Sequence, residues 1–259
     1  MQRLSWSDEN ISDDVYRTKF KVLPDIIRSW VTVDGNLQDQ NILDFGCGEG
    51  TTALGFALQN PSTYVVGVDI MPDIEKCAPL AIDQLRLSSL PENLILKRGH
   101  LCDLYDDLDQ FDVIYSWSVF EHVDQQTLLD TLTMLRDLLK PHGQLFIQIS
   151  PLFFSEDGSH LMAWVPESWG HLVNQHSVYM EKLWAGCSTP ELFASLRSMF
   201  ETLNRLTGDD LVQHAKAAGF SVKREFRTDR NGTVPRKLLE VYNRDVLLNE
   251  QIVLLLSPL

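Results

Sequence analysis

The sequence predicts an α/β fold in which a mostly parallel sheet is covered by helices on both faces. Short apolar runs alternate with stretches of helical spacing along most of the chain. The first run, Ile42–Phe45, breaks into Gly46-Cys-Gly48-Glu-Gly50 just before a helix. Acidic residues sit in or just beyond the apolar runs, at the strand ends where such sheets bind ligands.

The elements follow in order. Residues 7–31 open with acidic turn residues and continue with helical spacing at Tyr16, Phe20, Leu23, Ile26, Ile27 and Trp30. Ile42–Phe45 reads as a strand and Thr51–Gln59 as a helix stopped near Asn60-Pro61. Tyr64–Asp69 is a second strand, β-branched and aromatic, followed by a helix from Pro72 to about Ser89. Leu94–Lys97 and Asp112–Ser116 are the third and fourth strands, and a helix covers roughly 125–139. The fifth strand, Leu145–Ile149, follows the turn signal Pro141-His-Gly143. Strands joined through helices imply right-handed crossovers.

From Pro151 to about Thr207 the alternation stops. This stretch is rich in aromatics and histidine and too long for a simple connection, so it reads as an insertion with its own helices. A helix over Gly208–Ala218 ends at Gly219, Phe220–Phe226 alternates as a strand, Val234–Asn243 reads as a short helix and Gln251–Leu256 as the last strand. The expected organisation is an N-terminal helical segment (1–36), a core (37–150 and 208–259) and the insertion (151–207).

The bulk numbers narrow the function. The 259 residues, 44% hydrophobic and 22% charged, suit a soluble core domain with an insertion. A formal charge of −14 argues against nucleic acid and anionic membranes as partners. The polar N-terminus has no leader-like apolar stretch, and no run is long enough to span a bilayer. Cys47, Cys77, Cys102 and Cys187 show no paired spacing, which fits reduced thiols in a cytoplasmic protein and gives no structural zinc.

Gly46, Gly48 and Gly50 let the chain leave its strand sharply and let a ligand touch bare backbone. Their spacing, with Thr51 next, departs from the G-x-G-x-x-G of dinucleotide sites, and no Lys-Ser or Lys-Thr pair follows to make a P-loop. Asp69 can accept from two ribose hydroxyls or cap the next helix. Asp44, inside a strand, can receive an ammonium group or serve as an internal acceptor for the turn. Asp103 can accept from an exocyclic amine while the next amide meets a ring nitrogen, or be an ordinary loop residue.

Four stretches together resemble class I S-adenosylmethionine-dependent methyltransferases: "ILDFGCGEG", "VVGVDI", "GHLCDLYDDLDQFDVIYSWSVFEHV" and "LLKPHGQLFIQI". The resemblance covers roughly residues 37–150 and, more loosely, 208–259. It implies a Rossmann-like three-layer sandwich with a seven-stranded sheet whose last strand is antiparallel. It also implies S-adenosyl-L-methionine as cofactor. Gly46 and Gly48 would border its methionine part, Asp69 its ribose and Ile70 its adenine. Asp103 and Leu104 would bind the adenine edge, while Ser116 and Trp117 face the methionine and the methyl group. Asp44 would lie toward the ammonium.

The insertion, with Phe153, Phe154, Trp164 and Trp169, would cover the acceptor site, unless these aromatics form only the insertion's own small core. The N-terminal helix with Trp6, Tyr16 and Lys19 would close over the cofactor. His122 and His160 are the candidate bases, ahead of His171 and His176. Some quinone-pathway relatives hold a metal with Glu-x-x-Glu-His, but Ser118 stands at the first of those positions here, so no metal is expected. The expected function is methyl transfer to an O or N nucleophile of a small molecule, such as a sugar or secondary metabolite, by a monomer or homodimer. A protein acceptor and a non-catalytic cofactor-binding module are the alternatives.

Overall fold

A computed structural model describes residues 11–259. Trp6, expected to join the N-terminal cover, lies outside the described residues. Seven strands form one sheet: β1 (Asn41–Phe45), β2 (Tyr64–Asp69), β3 (Leu94–Arg98), β4 (Phe111–Trp117), β5 (Leu139–Ile149), β6 (Phe220–Asp229) and β7 (Asn249–Pro258). Their spatial order is β3-β2-β1-β4-β5-β7-β6. β1 to β5 pair in parallel, and β7 runs antiparallel to both β5 and β6. The order reverses between β1 and β4, so the crevice for a ligand opens beyond their carboxyl ends.

The central strands are apolar because both faces are covered. Leu43, Ile114 and Ile147 pack with Leu132, Leu135 and Leu211 of α6 (Leu128–Asp137) and α10 (Gly208–Ala217). The alternate residues Ile42, Tyr115 and Phe146 pack on the other layer, with α3 (Thr51–Gln59) and α4 (Cys77–Leu85). Over that layer runs the N-terminal helix. It comprises α1 (Asp14–Arg17), a π-helical stretch Thr18–Val22 and α2 (Leu23–Val31). The widened turn sets the Phe20 carbonyl directly over Gly55 of α3, where a Cβ would collide with it.

Residues 151–207 contain α7 (Gly170–Val173), α8 (His176–Gly186) and α9 (Pro190–Thr202), after α5 (Leu101–Leu104) earlier in the chain. They build a cluster of their own around Phe153, Leu161, Tyr179, Leu183 and Phe200. Trp169 packs instead with Leu238 and Leu247, from the segment bearing α11 (Arg236–Leu239) and α12 (Arg244–Leu248). Arg230 holds the start of the insertion through Asp157 at 2.6 Å and Glu156 at 3.4 Å, and binds Glu250 at 2.7 Å.

Several expected boundaries shift for local reasons. The helix expected from Pro72 to Ser89 begins as a 3-10 turn, Pro72–Lys76, and ends at Leu85, where Arg86 turns left-handed and Leu87 returns to the core. The helix expected from 125 starts at Leu128, because Asp124 caps a turn by accepting from the Gln126 amide. Pro141-His-Gly143 does not separate β5 from what precedes it. Pairing jumps from Phe111–Leu139 to Val113–Gln144, so these residues bulge within one strand. The helix expected over Val234–Asn243 is two short ones, the second capped by Asn243. Among the described residues no helix is long and apolar enough to cross a membrane.

Gly55→Ala is expected to destabilise the protein by about 1–3 kcal/mol, since the added methyl meets backbone. Denaturant unfolding measures this, and an unchanged midpoint would show that the N-terminal helix does not rest on α3.

Candidate active site

The turn after β1 is built by three left-handed residues, Gly46, Gly48 and Gly50, at φ of 77°, 54° and 72°. Each glycine has a different reason. At Gly46 a Cβ would strike the Val119 side chain, so the turn packs against the loop after β4. At Gly50 it would press on Leu96 and Cys77. At Gly48 it would meet nothing within 4 Å, so this face of the turn is open. The amides of Gly46 and Cys47 donate to the Val68 carbonyl at 2.9 and 3.0 Å, tying the turn to β2.

Asp69, at the end of β2, accepts from the Gly48 amide at 2.7 Å with one oxygen and from the Met71 amide at 2.7 Å with the other. Each oxygen keeps lone-pair capacity for a further donor. Beyond it Ile70 and Met71 are 53% and 52% exposed, an apolar pair held in solvent beside the open glycine. An adenosyl group fits this set: bare backbone, an oriented carboxylate and an apolar shelf.

Asp44 is 3% exposed and accepts from the Tyr115 hydroxyl at 2.7 Å, with the Ala53 amide at the start of α3 as a second neighbour. Of its two readings the structure displays the internal acceptor. Burial raises its pKa to about 7, against the Tyr115 hydrogen bond and with help from nearby Asp69. Asp103 is exposed on the first turn of α5. Its own amide and that of Leu104 both reach the His100 carbonyl, at 3.0 and 3.2 Å, so the amide expected to meet a ring nitrogen is engaged within the turn.

Ser116 and Trp117 are the last two residues of β4, and strand alternation turns their side chains to opposite sides of the sheet. The Ser116 hydroxyl is buried without a partner. The Trp117 ring stacks at 6.1 Å on Phe146 in the layer that contains Tyr16 and Phe20. The N-terminal helix does reach the glycine turn, since Lys19 pairs with Glu49 at 3.3 Å.

The two candidate bases meet. His122 lies in the 3-10 turn Phe120–His122 after β4, and His160, left-handed at φ 60°, lies in the insertion. Their rings are 5.6 Å apart, edge to face. The His122 amide donates to the Val119 carbonyl at 2.8 Å, so the pair stands one residue-contact away from Gly46. Nε2 of His160 is 3.2 Å from the carbonyl of Pro151, which follows a cis peptide bond. A carbonyl only accepts, so Nε2 carries the proton and Nδ1 is the free lone pair. Burial holds both imidazoles below their usual range, and His160 adds to the effect on His122. His171 donates Nε2–H to the Phe153 carbonyl at 2.6 Å, deeper in the insertion, and burial lowers its pKa to about 4. His176 is exposed, 3.9 Å from Glu201. Among the described residues no group of three His, Cys, Asp or Glu side chains is placed to hold a metal.

Two residues that the sequence did not single out shape this region. Asn204 donates to the Val123 carbonyl at 2.8 Å and to the Phe120 carbonyl, while its own amide donates to the Glu121 carbonyl at 2.8 Å. A lone Asn after a helix carries no motif that reveals this. Tyr115 appeared only as one apolar position of a strand. Glu121 was visible as half of a local pair, yet the structure buries it to 2% exposure with both carboxylate oxygens unpartnered, and burial raises its pKa to about 8.

These shifts set opposite pH dependences. A buried acid with a raised pKa keeps its proton in the native state after the unfolded chain has lost it, so stability falls as pH rises through that interval. Glu121 acts up to about 8 and Asp44 up to about 7. The depressed histidines give the reverse slope, confined to pH below about 6.5. Between about pH 7 and 8.5 the Tm is therefore expected to drop in wild type and to stay flatter in Glu121→Gln. Parallel profiles in a thermal-shift series would show that Glu121 ionises normally.

A family profile described as a methyltransferase domain matches residues 23–225. An uncharacterized protein of Rickettsia prowazekii is 30% identical over 116 residues, 45% of this chain and 45% of that protein. Protein arginine N-methyltransferase 1 of Saccharomyces cerevisiae is 27% identical over 143 residues, 52% of this chain and 40% of that one. The chain thus matches under half the length of these curated relatives. Among solved structures, magnesium protoporphyrin IX methyltransferase from Synechocystis PCC 6803 with bound S-adenosylhomocysteine has the same fold. Its TM-score is 0.54 at 15% identity, over 95% of this chain and 88% of that one. With the glycine turn, the strand order and a matched profile over most of its length, the chain belongs to the methyltransferase domain family, in the class I S-adenosylmethionine-dependent group that its motifs resemble.

Proposed function

We propose that this chain transfers the methyl group of S-adenosylmethionine to a hydroxyl of a small molecule bound between the carboxyl ends of the central strands and the insertion. The observation that carries the reading is the meeting of His122 with His160 at 5.6 Å, on a loop packed against the glycine turn. Gly48, Asp69 and the shelf of Ile70 and Met71 would hold the cofactor, with Asp103 and Leu104 near its adenine edge and Ser116 and Trp117 closing the strand end. When bound, it supplies an electrophilic methyl group on a sulfonium sulfur.

The chain's own part is orientation and proton removal. Nδ1 of His160 is the free lone pair, because Nε2–H is fixed on the Pro151 carbonyl. A neutral carbonyl behind the ring adds little basicity compared with a carboxylate. Such a base suits a hydroxyl that is already acidic, of the phenol type, more than an aliphatic alcohol. His122, held neutral beside it, can accept the same hydrogen bond or pass the proton to solvent. The half-buried aromatics of the insertion exclude water from that side.

Asp69→Ala is expected to weaken S-adenosylmethionine binding about 10- to 100-fold, the loss of charge-assisted hydrogen bonds of about 1.5–3 kcal/mol. Gly48→Ala is expected to weaken it comparably while costing about 1–2 kcal/mol of stability for the left-handed backbone. Calorimetric titration reads both, and unchanged affinity in both variants would place the cofactor elsewhere.

His160→Ala is expected to lower turnover about 10²- to 10⁴-fold with cofactor affinity retained, measured by labelled methyl transfer to a pool of phenolic and other hydroxylated metabolites. Because the histidine pKa is depressed, wild-type kcat should already be on its plateau at about pH 6.5 and fall only at lower pH. Full activity of the variant at every pH would remove His160 as the base.

A further inference from the structure

We propose that the methyl acceptor carries an oxyanion, a carboxylate or a phosphate, which Arg205 receives at the face of Phe153. The inference rests on the preceding reading of the histidine pair as the acceptor site. The Arg205 guanidinium carbon lies 5.4 Å from the Phe153 ring centroid, and the group is exposed. The His171 ring packs edge-on against the same phenyl ring at 5.1 Å. Burial first, and then the charge of Arg205 and of His160 when protonated, disfavours a proton on His171, and the His160 ring meets that of His122. Arg205, Phe153 and His171 thus touch in turn, and His160 and His122 touch each other.

These groups run against the charge of the molecule. The chain has 36 acidic residues and 22 basic ones. Arg230 accordingly contacts three carboxylates, Arg227 two and Lys19 one. Among the described residues Arg205 has no ion pair, and neither do His122, His160 and His171. The adjoining acid, Glu121, is buried and keeps its proton to about pH 8. Burial holds the three imidazoles below their usual range, so near pH 7 the Arg205 guanidinium supplies the positive charge at the acceptor end of a chain of charge −14.

The guanidinium is also well placed. Asn204, just before it, is bonded to the carbonyls of Phe120, Glu121 and Val123, and Leu206, just after it, is buried. Arg205 and His122 therefore belong to one tethered unit, and an acceptor touching both is held at two ends. The planar fork of an arginine lying on a ring matches an oxyanion bidentately.

The test is calorimetric titration into the full chain saturated with S-adenosylhomocysteine. The probes are 4-hydroxybenzoate, 4-hydroxyphenyl phosphate and the neutral 4-hydroxybenzyl alcohol. At least one anionic probe is expected to bind ten times or more tightly than the alcohol, and the better of the two identifies the oxyanion. Arg205→Gln should erase that advantage and Arg205→Lys should keep part of it, with S-adenosylhomocysteine affinity and Tm unchanged in both. Equal binding of the charged and neutral probes, or an advantage that survives in Arg205→Gln, overturns the proposal. Failure of the wild type to bind S-adenosylhomocysteine would instead sink the cofactor reading beneath it.

Discussion

The hydrogen bond from the Gly48 amide to Asp69 sets the direction in which the glycine turn opens. Without it, three consecutive alternate glycines would be a flexible loop, costly to order on binding. With it, and with the Val68 carbonyl receiving two more amides, the end of β1 is fixed to the end of β2. The carboxylate is aimed at the same time, since both of its oxygens are engaged by backbone. Asp69 does not cap the following helical turn, but its bonds to the Gly48 and Met71 amides are compatible with ligand recognition at the same residue. The local bonds orient the group and leave acceptor capacity facing outward.

Beneath that rim the chain keeps its acids out of play. Asp44 and Glu121 are both buried, and burial favours their protonated forms. Asp44 has the Tyr115 hydroxyl for company, whereas Glu121 has no side-chain partner among the described residues. A very acidic protein therefore presents an interior edge with little negative charge, beside histidines that are themselves neutral near pH 7.

Most of the sheet was legible because buried parallel strands are short, apolar and punctuated, as at Ile42–Phe45 and Tyr64–Asp69. The errors lie where a single side chain outweighs the periodicity. Asp124 delays a helix, Arg86 ends one early, and a bulge keeps Pro141-His-Gly143 inside β5. At the site, the glycines and acids could be read because they follow strand ends. The approach of His160 to His122 could be guessed as chemistry but not as geometry, since 37 residues, with α6 and β5 among them, intervene. Asn204 and Arg205 were invisible, because neither their spacing nor their neighbours in sequence says that the first folds back onto residues 120–123 and the second lies over Phe153.

That fold-back of Asn204 separates two kinds of change. The loop bearing His122 and the return of the chain toward α10 are riveted together at three carbonyls. Helices α8 and α9 stand outside this rivet, on a cluster of their own. Residues there can be exchanged, altering the outer wall, while the loop that bears His122 keeps its tie to the chain before α10.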